Sequence, residues 1–208
     1  MVQVIQAHNV SLADLEAKFG LQQAESEDFF TEWFDTLPEI IDIEKQYLDR
    51  VKTNFLRLVK HPPILENAVK MIVLSPLLDL AEFYREPFFI ATEESLQIAL
   101  EDEGEIIRGI IDVFVIKEQL WLLVIESKRS NFSLLEAIPQ ALVYMLANPN
   151  QDKPTFGLVT NGSDFIFLKL TKENQPKYAI SDQFTLLKRE SELYQVLSVL
   201  KKLSQVLS

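Results

Sequence analysis

The sequence predicts an α/β domain, because helical and strand-like patterns of apolar residues alternate along it. Apolar residues recur at three- and four-residue steps from 39 to 60, which is typical of an amphipathic helix. From 88 to 128 the chain is instead rich in β-branched and aromatic residues with short polar breaks. Helical spacing then returns over 134–147. Helices, a mixed sheet with a crossover helix, and a terminal helix are therefore expected.

The N-terminal third carries further helix signals. Residues 11–20 begin with a serine followed three residues later by an aspartate and end in glycine, a capping box with a stop. A second helix is expected over 26–37. The segment 64–84 is apolar around most of a helical circumference, which predicts a central helix. Pro76 should kink or divide that helix, because proline removes a backbone donor.

Strand signals define the sheet. Three antiparallel strands are predicted over roughly 88–100, 107–116 and 120–128. A further hairpin is expected around Asn161-Gly162-Ser163, a strong turn sequence. An edge strand over 178–187 and a final amphipathic helix over 193–203 complete the prediction. The predicted organisation is a helical extension over 1–61 and an α/β domain over 62–208, packed as one unit.

Composition excludes several classes of protein. The chain of 208 residues contains no cysteine, so a disulfide scaffold, a thiolate zinc site and a cysteine nucleophile are ruled out. No stretch approaches the roughly 18 apolar residues of a membrane span, and no signal-peptide pattern opens the sequence. A cytoplasmic protein without a membrane partner is therefore expected.

The charge of the chain is strongly negative but unevenly distributed. The net charge is −11, which by itself argues against binding to nucleic acid. Residues 1–120 hold 23 acids and 10 bases, whereas residues 121–208 hold 8 acids and 10 bases. The C-terminal part, which begins at the third predicted strand, is thus mildly basic.

The segment RGIIDVFVIKEQLWLLVIESKR contains a candidate site for chemistry. If residue 112 pairs with 124 across the hairpin, Asp112, Glu126 and Lys128 lie on one face of it. Two carboxylates would then share one hard cation, with an ammonium beside it. A two-residue loop would instead place Asp112 on the face opposite the other two.

Two readings of these charged residues remain open at this point. Charged residues are common on solvated strand faces, but here the flanking residues are apolar on both faces, which is typical of a covered strand. A carboxylate in such a strand costs several kcal/mol unless it is paired or binds a metal. A metal site and an internal salt-bridged group both satisfy that requirement.

Asp112, followed after thirteen residues by Glu126-Ser127-Lys128, resembles the D-(x)n-(D/E)-x-K signature of PD-(D/E)XK nucleases. RGIID resembles the G-x-x-D entry to their second core strand, although Ile111 replaces the proline. Gln140 and Tyr144 resemble the Q-x-x-x-Y motif of RecB-like nucleases and of the nuclease domain in type I restriction motor subunits. VTNG at 159–162 also resembles that restriction-subunit domain. The sequence is similar, too, to a cyanobacterial stand-alone family of such restriction subunits. The resemblance spans roughly residues 62–170.

The resemblance implies a restriction-endonuclease-like mixed sheet flanked by helices, and a Mg²⁺ site in which Mn²⁺ can substitute. Asp112, Glu126 and the backbone carbonyl of Ser127 would bind the metal, and Lys128 would orient or deprotonate water and stabilise developing charge. Gln140 and Tyr144 would support the site or contact the DNA backbone; an ordinary core aromatic is the alternative for Tyr144.

Glu66 resembles the helix glutamate that many of these nucleases use as a further metal or water ligand. The alternative for Glu66 is an exposed pair with Lys70, four residues along the same helix.

Other enzyme classes lack their residues. The two histidines occur in unrelated contexts, and no GxxxxGK[ST] motif exists, so this chain carries no ATP motor and needs no nucleotide cofactor. The function expected is hydrolysis of DNA by a restriction-type nuclease module. The alternative is a non-catalytic binding or assembly protein that keeps the nuclease fold. A second copy of the chain or other subunits are the protein partners to consider.

Overall fold

The structure, a computed structural model, describes residues 3–100, 105–117, 120–127, 133–190 and 192–207; for residues 99, 100 and 120–127 it describes the backbone alone. It is a mixed α/β fold. The helices are α1 (Leu12–Phe19), α2 (Asp42–Val59), α3 (Glu66–Val69), α4 (Ser75–Leu80), α5 (Leu134–Leu146) and α6 (Leu193–Leu207). The strands are β1 (Gln3–Gln6), β2 (Gln22–Gln23), β3 (Phe89–Leu100), β4 (Glu105–Lys117), β5 (Leu120–Ser127), β6 (Thr155–Thr160), β7 (Asp164–Thr171), β8 (Lys177–Ile180) and β9 (Phe184–Thr185).

Helix α1 begins and ends as the sequence predicts. The Ser11 hydroxyl accepts a hydrogen bond from the Asp14 backbone N–H, and the Asp14 carboxylate accepts from the Ser11 backbone N–H. Gly20 ends the helix with a φ of 63°, a left-handed conformation that glycine adopts without strain. These local hydrogen bonds explain why the boundaries of α1 are readable from the sequence.

The helix predicted over 26–37 is wrong. A 3-10 turn, Glu27–Phe29, and a separate turn closed by the Thr31 carbonyl form there, with the Ser26 hydroxyl accepting from the Asp28 backbone N–H. Phe30 is buried in the core, and the Trp33 ring makes an edge contact with Phe184. Aromatic packing onto the sheet thus overrides a weak helical propensity in this segment.

Pro76 divides the predicted central helix, as expected, but does so without ending it. Between α3 and α4 a π-helical turn covers Lys70–Leu74, and the Ser75 backbone N–H donates to the Lys70 carbonyl five residues earlier. The wider turn accommodates a proline that cannot donate to the preceding turn. Lys70 therefore lies at the boundary between two helical geometries.

The sheet is mixed and receives strands from both ends of the chain. Its order is β1-β4-β5-β6-β7-β8-β2, with β3 paired to β4 and β9 paired to β7. Strands β5 and β6 are parallel, and α5 is the crossover between them, as predicted. The first 61 residues contribute β1 and β2 to this sheet in addition to α1 and α2.

Helices cover both faces of the sheet. One apolar cluster contains Leu48 of α2, Leu77 of α4 and Leu200 of α6, whereas the other contains Leu15 of α1 and Leu142 of α5. All six residues of β6 are buried, which fits a central strand covered on both sides. Within the described ranges, no helix is long and apolar enough to cross a membrane.

Candidate functional site

A cavity of about 410 Å³ brings together three of the residues predicted to form a site. Its lining includes Asp112 from β4, Glu66 from α3 and Gln140 from α5. These residues are separated by up to 74 positions in sequence, and only the tertiary fold makes them neighbours. Lys70 and Glu93, which were not predicted as site residues, line the same cavity.

The cavity lies where β4 exchanges one neighbouring strand for another. Over 105–108 β4 pairs with β1, and over 113–117 it pairs with β5. The pairs found in the described structure leave 109–112 with neither neighbour on that edge. Diverging strands leave space that side chains from flanking helices fill, and Gln140 and Glu66 reach this space from two different helices. Asp112 stands at the end of the gap that adjoins β5.

The register between β4 and β5 differs from the prediction. Residue 124 pairs with Phe114, so the predicted pairing of 112 with 124 is wrong. β4 ends at Lys117 and β5 begins at Leu120. This is the two-residue connection that was expected to place Asp112 on the face opposite Glu126 and Lys128.

A bulge between Val115 and Ile116 shifts the register by one residue. Beyond the bulge Val113 pairs with Ile125, which is the last pair of the described register before Asp112.

Both β3 and β4 are irregular at the level of Asp112. Glu93 of β3 has a φ of 56°, the left-handed region that side-chain-bearing residues rarely adopt. It falls between Thr92, which pairs with Val113, and Glu94, which pairs with Ile111. The two partners in β4 pack into different apolar clusters although both have odd numbers, so the strand changes face at residue 112.

Lys70 forms an ion pair with Asp112 inside the cavity. The Lys70 Nζ donates to the Asp112 Oδ1 at 2.7 Å, and the two side chains are 18% and 15% exposed. The alternative predicted for Glu66, an ion pair with Lys70, does not form, because Lys70 points to the sheet rather than to the residue one turn earlier. Among the described residues Glu66 forms no ion pair. The carboxylate of Glu66 is therefore available to a ligand in the cavity.

Gln140 and Tyr144 form a buried pair on one face of α5, as their spacing predicts. The Gln140 Nε2 donates to the Tyr144 hydroxyl at 2.7 Å, and the two residues are 8% and 1% exposed. A Cβ at Gly109 would lie 2.5 Å from the Tyr144 Cε1 and 2.7 Å from its hydroxyl oxygen. Glycine at this position of RGIID thus makes room for the Tyr144 ring against β4. The pair holds Gln140 at the cavity wall.

The remaining predicted residues are described in part or not at all. The backbone of Glu126 and Ser127 continues β5 beside β6, with Glu126 paired to Val159 and Ser127 to Thr160. The side chains of these two residues, and the whole of Lys128, lie outside the described residues. The roles predicted for Glu126, Ser127 and Lys128 therefore stay predictions.

The donor atoms that line the cavity suit a hard cation. Glu66, Glu93, Asp112 and Gln140, whose side chains carry carboxylate or amide oxygens, line it. No three acidic or histidine side chains in the described part of the chain are close enough together to hold an ion alone. Mg²⁺ commonly needs only one or two carboxylates, because water and substrate phosphates complete its shell. The residues present are chemically compatible with that mode of binding.

Comparisons with known proteins found no family model that matches this chain and no curated protein that matches it.

Proposed function

We propose that this protein is a Mg²⁺-dependent nuclease of the PD-(D/E)XK type, with a restriction-endonuclease-like core, that hydrolyses phosphodiester bonds of DNA. The observation that carries the proposal is the cavity at the strand divergence. There Asp112 lines the same cavity as Glu66 and Gln140. The order of these residues along the chain is that of the nuclease signature they resemble. The chain would act as a nuclease module of the type I restriction kind without an ATP motor.

In this proposal Asp112 and Glu126 hold the metal, with the Ser127 carbonyl and Glu66 as further oxygen donors. When bound, Mg²⁺ would polarise the scissile phosphate and lower the pKa of an attacking water. Lys128 would orient that water and stabilise the charge that develops on the phosphorane. Gln140, fixed by Tyr144, would bind the DNA backbone at the cavity wall.

A non-catalytic binding or assembly protein with the same fold is the second candidate. It is favoured by the ion pair between Lys70 and Asp112, which satisfies the carboxylate without any metal. The net charge of −11 also favours a protein partner over nucleic acid. Asp112 would then be the internal salt-bridged group that its apolar surroundings require.

A cleavage assay separates the two candidates. Linear, circular and single-stranded DNA are incubated with Mg²⁺ or Mn²⁺ and with wild-type protein, Asp112→Asn or Lys128→Ala. A matched control is Glu105→Gln, because Glu105 is also a β4 acid in a partly buried ion pair, with Lys18, but lies outside the cavity. We expect metal-dependent cleavage by wild type and by Glu105→Gln. Both site variants should lose about a hundredfold or more in rate.

A second readout does not depend on the choice of substrate. Millimolar Mg²⁺ or Mn²⁺ should raise the melting temperature of wild type and of Glu105→Gln but not that of Asp112→Asn, because a ligand that binds the native state stabilises it. Absence of any metal-induced stabilisation in wild type, together with absence of cleavage, would reject the nuclease in favour of the binding protein. Cleavage that survives Lys128→Ala unchanged would remove Lys128 from the mechanism.

A further inference from the structure

A second cavity, of about 470 Å³, lies along β4 next to the first. Both cavities are lined by Ile110 and Gln140, so they are adjacent parts of one surface. The chain has 31 acidic residues, yet none of the described residues that line the second cavity is Asp or Glu. Its basic lining residues are Arg108 and His8. The described lining of this cavity thus carries no acid, although the chain as a whole is strongly negative.

Strand pairing builds a row of hydrogen-bond donors across the floor of this cavity. Arg108 of β4 pairs with Gln6 of β1 on one side and with Gln97 of β3 on the other. Residues paired in this way share a face of the sheet, so two amides flank one guanidinium. All three residues are exposed. The row can donate several hydrogen bonds to one ligand.

Arg108 is held on a rigid strand but has no acidic partner in the described structure. Arg108 forms no ion pair with any described residue, although ion pairs tie the neighbouring lysines Lys18 and Lys70 to β4. A guanidinium presents donors in a planar fork that matches phosphate oxygens. An exposed arginine between two glutamines is thus suited to a phosphate group that arrives from solution.

The distance between Arg108 and Asp112 sets the scale of the ligand. Four residues along a β-strand span about 13 Å at roughly 3.3 Å per residue. Successive nucleotides of a DNA strand rise about 3.4 Å along the duplex axis, so the same distance covers about four nucleotides. A DNA strand that runs along β4 from the first cavity would therefore place a phosphate of its flank over Arg108.

We propose that the cavity formed by Gln6, His8, Gln97 and Arg108 is a binding site for the phosphodiester backbone of DNA. It would hold the flank of the strand whose scissile phosphate lies at Asp112. In that part the inference rests on the proposed nuclease function. Arg108 makes the charged contact to phosphate, while the amides of Gln6 and Gln97 and the His8 imidazole add hydrogen bonds. The contact is to the backbone and carries no preference for base sequence.

The test measures binding apart from cleavage. A short fluorescein-labelled DNA duplex is titrated with metal-free protein at several salt concentrations, and binding is followed by fluorescence anisotropy. Wild type is compared with Arg108→Met, with Arg108→Lys and with Arg50→Met. Arg50 is a matched control, because it is an exposed arginine that lies outside both cavities. It belongs to α2, which packs into the apolar cluster that contains Leu48.

We expect Arg108→Met to weaken binding roughly tenfold and to lower the slope of log affinity against log salt by about 0.9, the share of one phosphate contact. Arg108→Lys keeps the charge and should keep the wild-type slope. Arg50→Met should behave as wild type. A lost structural contact would not change the salt slope, so the slope identifies a phosphate contact.

Equal effects of Arg108→Met and Arg50→Met, an unchanged slope, or no binding by wild type at low salt would overturn the inference. Its failure is distinct from that of the proposed function. Binding that needs Arg108 in a protein that never cleaves DNA with metal would reject the nuclease and keep the site. Cleavage with an unchanged KM in Arg108→Met would reject the site and keep the nuclease.

Discussion

Replacement of Lys70 by methionine should have opposite effects on folding and on metal binding. Lys70 Nζ lies 2.7 Å from the carboxylate of Asp112 that we propose as a metal ligand, and an ammonium and a cation compete for the same oxygen. Methionine keeps much of the length and apolar stem of lysine while it removes the charge. Lys70→Met should therefore destabilise the metal-free protein and strengthen its binding of Mg²⁺.

The magnitude follows from the geometry of the pair. At 2.7 Å two unit charges attract by about 1.5 kcal/mol in a water-like dielectric and by about 6 kcal/mol at an effective dielectric constant of about 20. The side chains are only 18% and 15% exposed, so the value for a water-like dielectric is too small for this pair. Desolvation of the two charges nevertheless offsets much of the attraction. A net loss of about 1–2 kcal/mol in the free energy of unfolding is expected. Because Lys70 no longer competes for the Asp112 carboxylate, the free energy of metal binding should become more favourable by the same amount. This corresponds to an affinity roughly 5- to 30-fold higher.

Two measurements check this expectation. Urea unfolding of metal-free protein gives the change in the free energy of unfolding, and isothermal calorimetry or melting temperature against Mg²⁺ concentration gives the affinity. Lys18→Met is the control, because Lys18 pairs with Glu105 on the same strand at 18% and 16% exposure. It should lose similar stability and leave metal binding unchanged. Metal binding by Lys70→Met that is unchanged or weaker than in wild type would refute the competition.

Three further predictions concern the surroundings of the site. Gly109→Ala should lower the free energy of unfolding by about 1–3 kcal/mol, because the new Cβ would lie 2.5 Å from the Tyr144 ring; a loss below the error of urea denaturation would show that the ring moves freely. Glu93→Gly should raise the stability of the metal-free protein by about 1 kcal/mol in the same assay, since glycine adopts a φ of 56° without strain, and a clear loss would contradict this. The hydrogen bond to Asp49, with burial and the Asp49 charge, raises the pKa of Tyr194 from 10.0 to about 12. The folded state keeps this proton while the unfolded state loses it, so stability should fall as the pH rises from 10.0 to about 12, by about 1 kcal/mol after allowance for solvent screening. Tyr194→Phe should flatten that part of the profile, and an unaltered slope would assign the effect to another group.

The elements that the sequence predicts well are those held by local interactions. The strands over 88–100, 107–116 and 120–128 occur as β3, β4 and β5, and the hairpin around Asn161-Gly162 occurs as β6 and β7. Alternation of apolar residues and turn sequences involve only a few adjacent residues, so they can be recognised without knowledge of the rest of the fold. The helix prediction for 26–37 is wrong because the aromatic residues of this segment pack against residues distant in sequence, such as Phe184.

The candidate site shows the same division. Residue spacing placed Asp112 on a hairpin with residue 126, but the number of connecting residues could not reveal the bulge between Val115 and Ile116 that shifts the register. A bulge is selected by the twist and packing of the whole sheet, and one residue reverses the face of everything beyond it. Lys70 was missed because a helical spacing of four points to Glu66, whereas the partner that Lys70 finds lies 42 residues away.

By itself the sequence determined which residue types exist for chemistry and the local elements that carry them. It supplied the two strand acids, the Gln140 and Tyr144 pair four residues apart on a helix, and the glycine at 109. The tertiary structure alone decided that β4 loses one neighbour before it gains the next, that α3 and α5 both reach this gap, and that Lys70 pairs with Asp112. Hydrogen bonds and turns act over a few residues, whereas a cavity is defined by packing between segments that the chain order does not bring together.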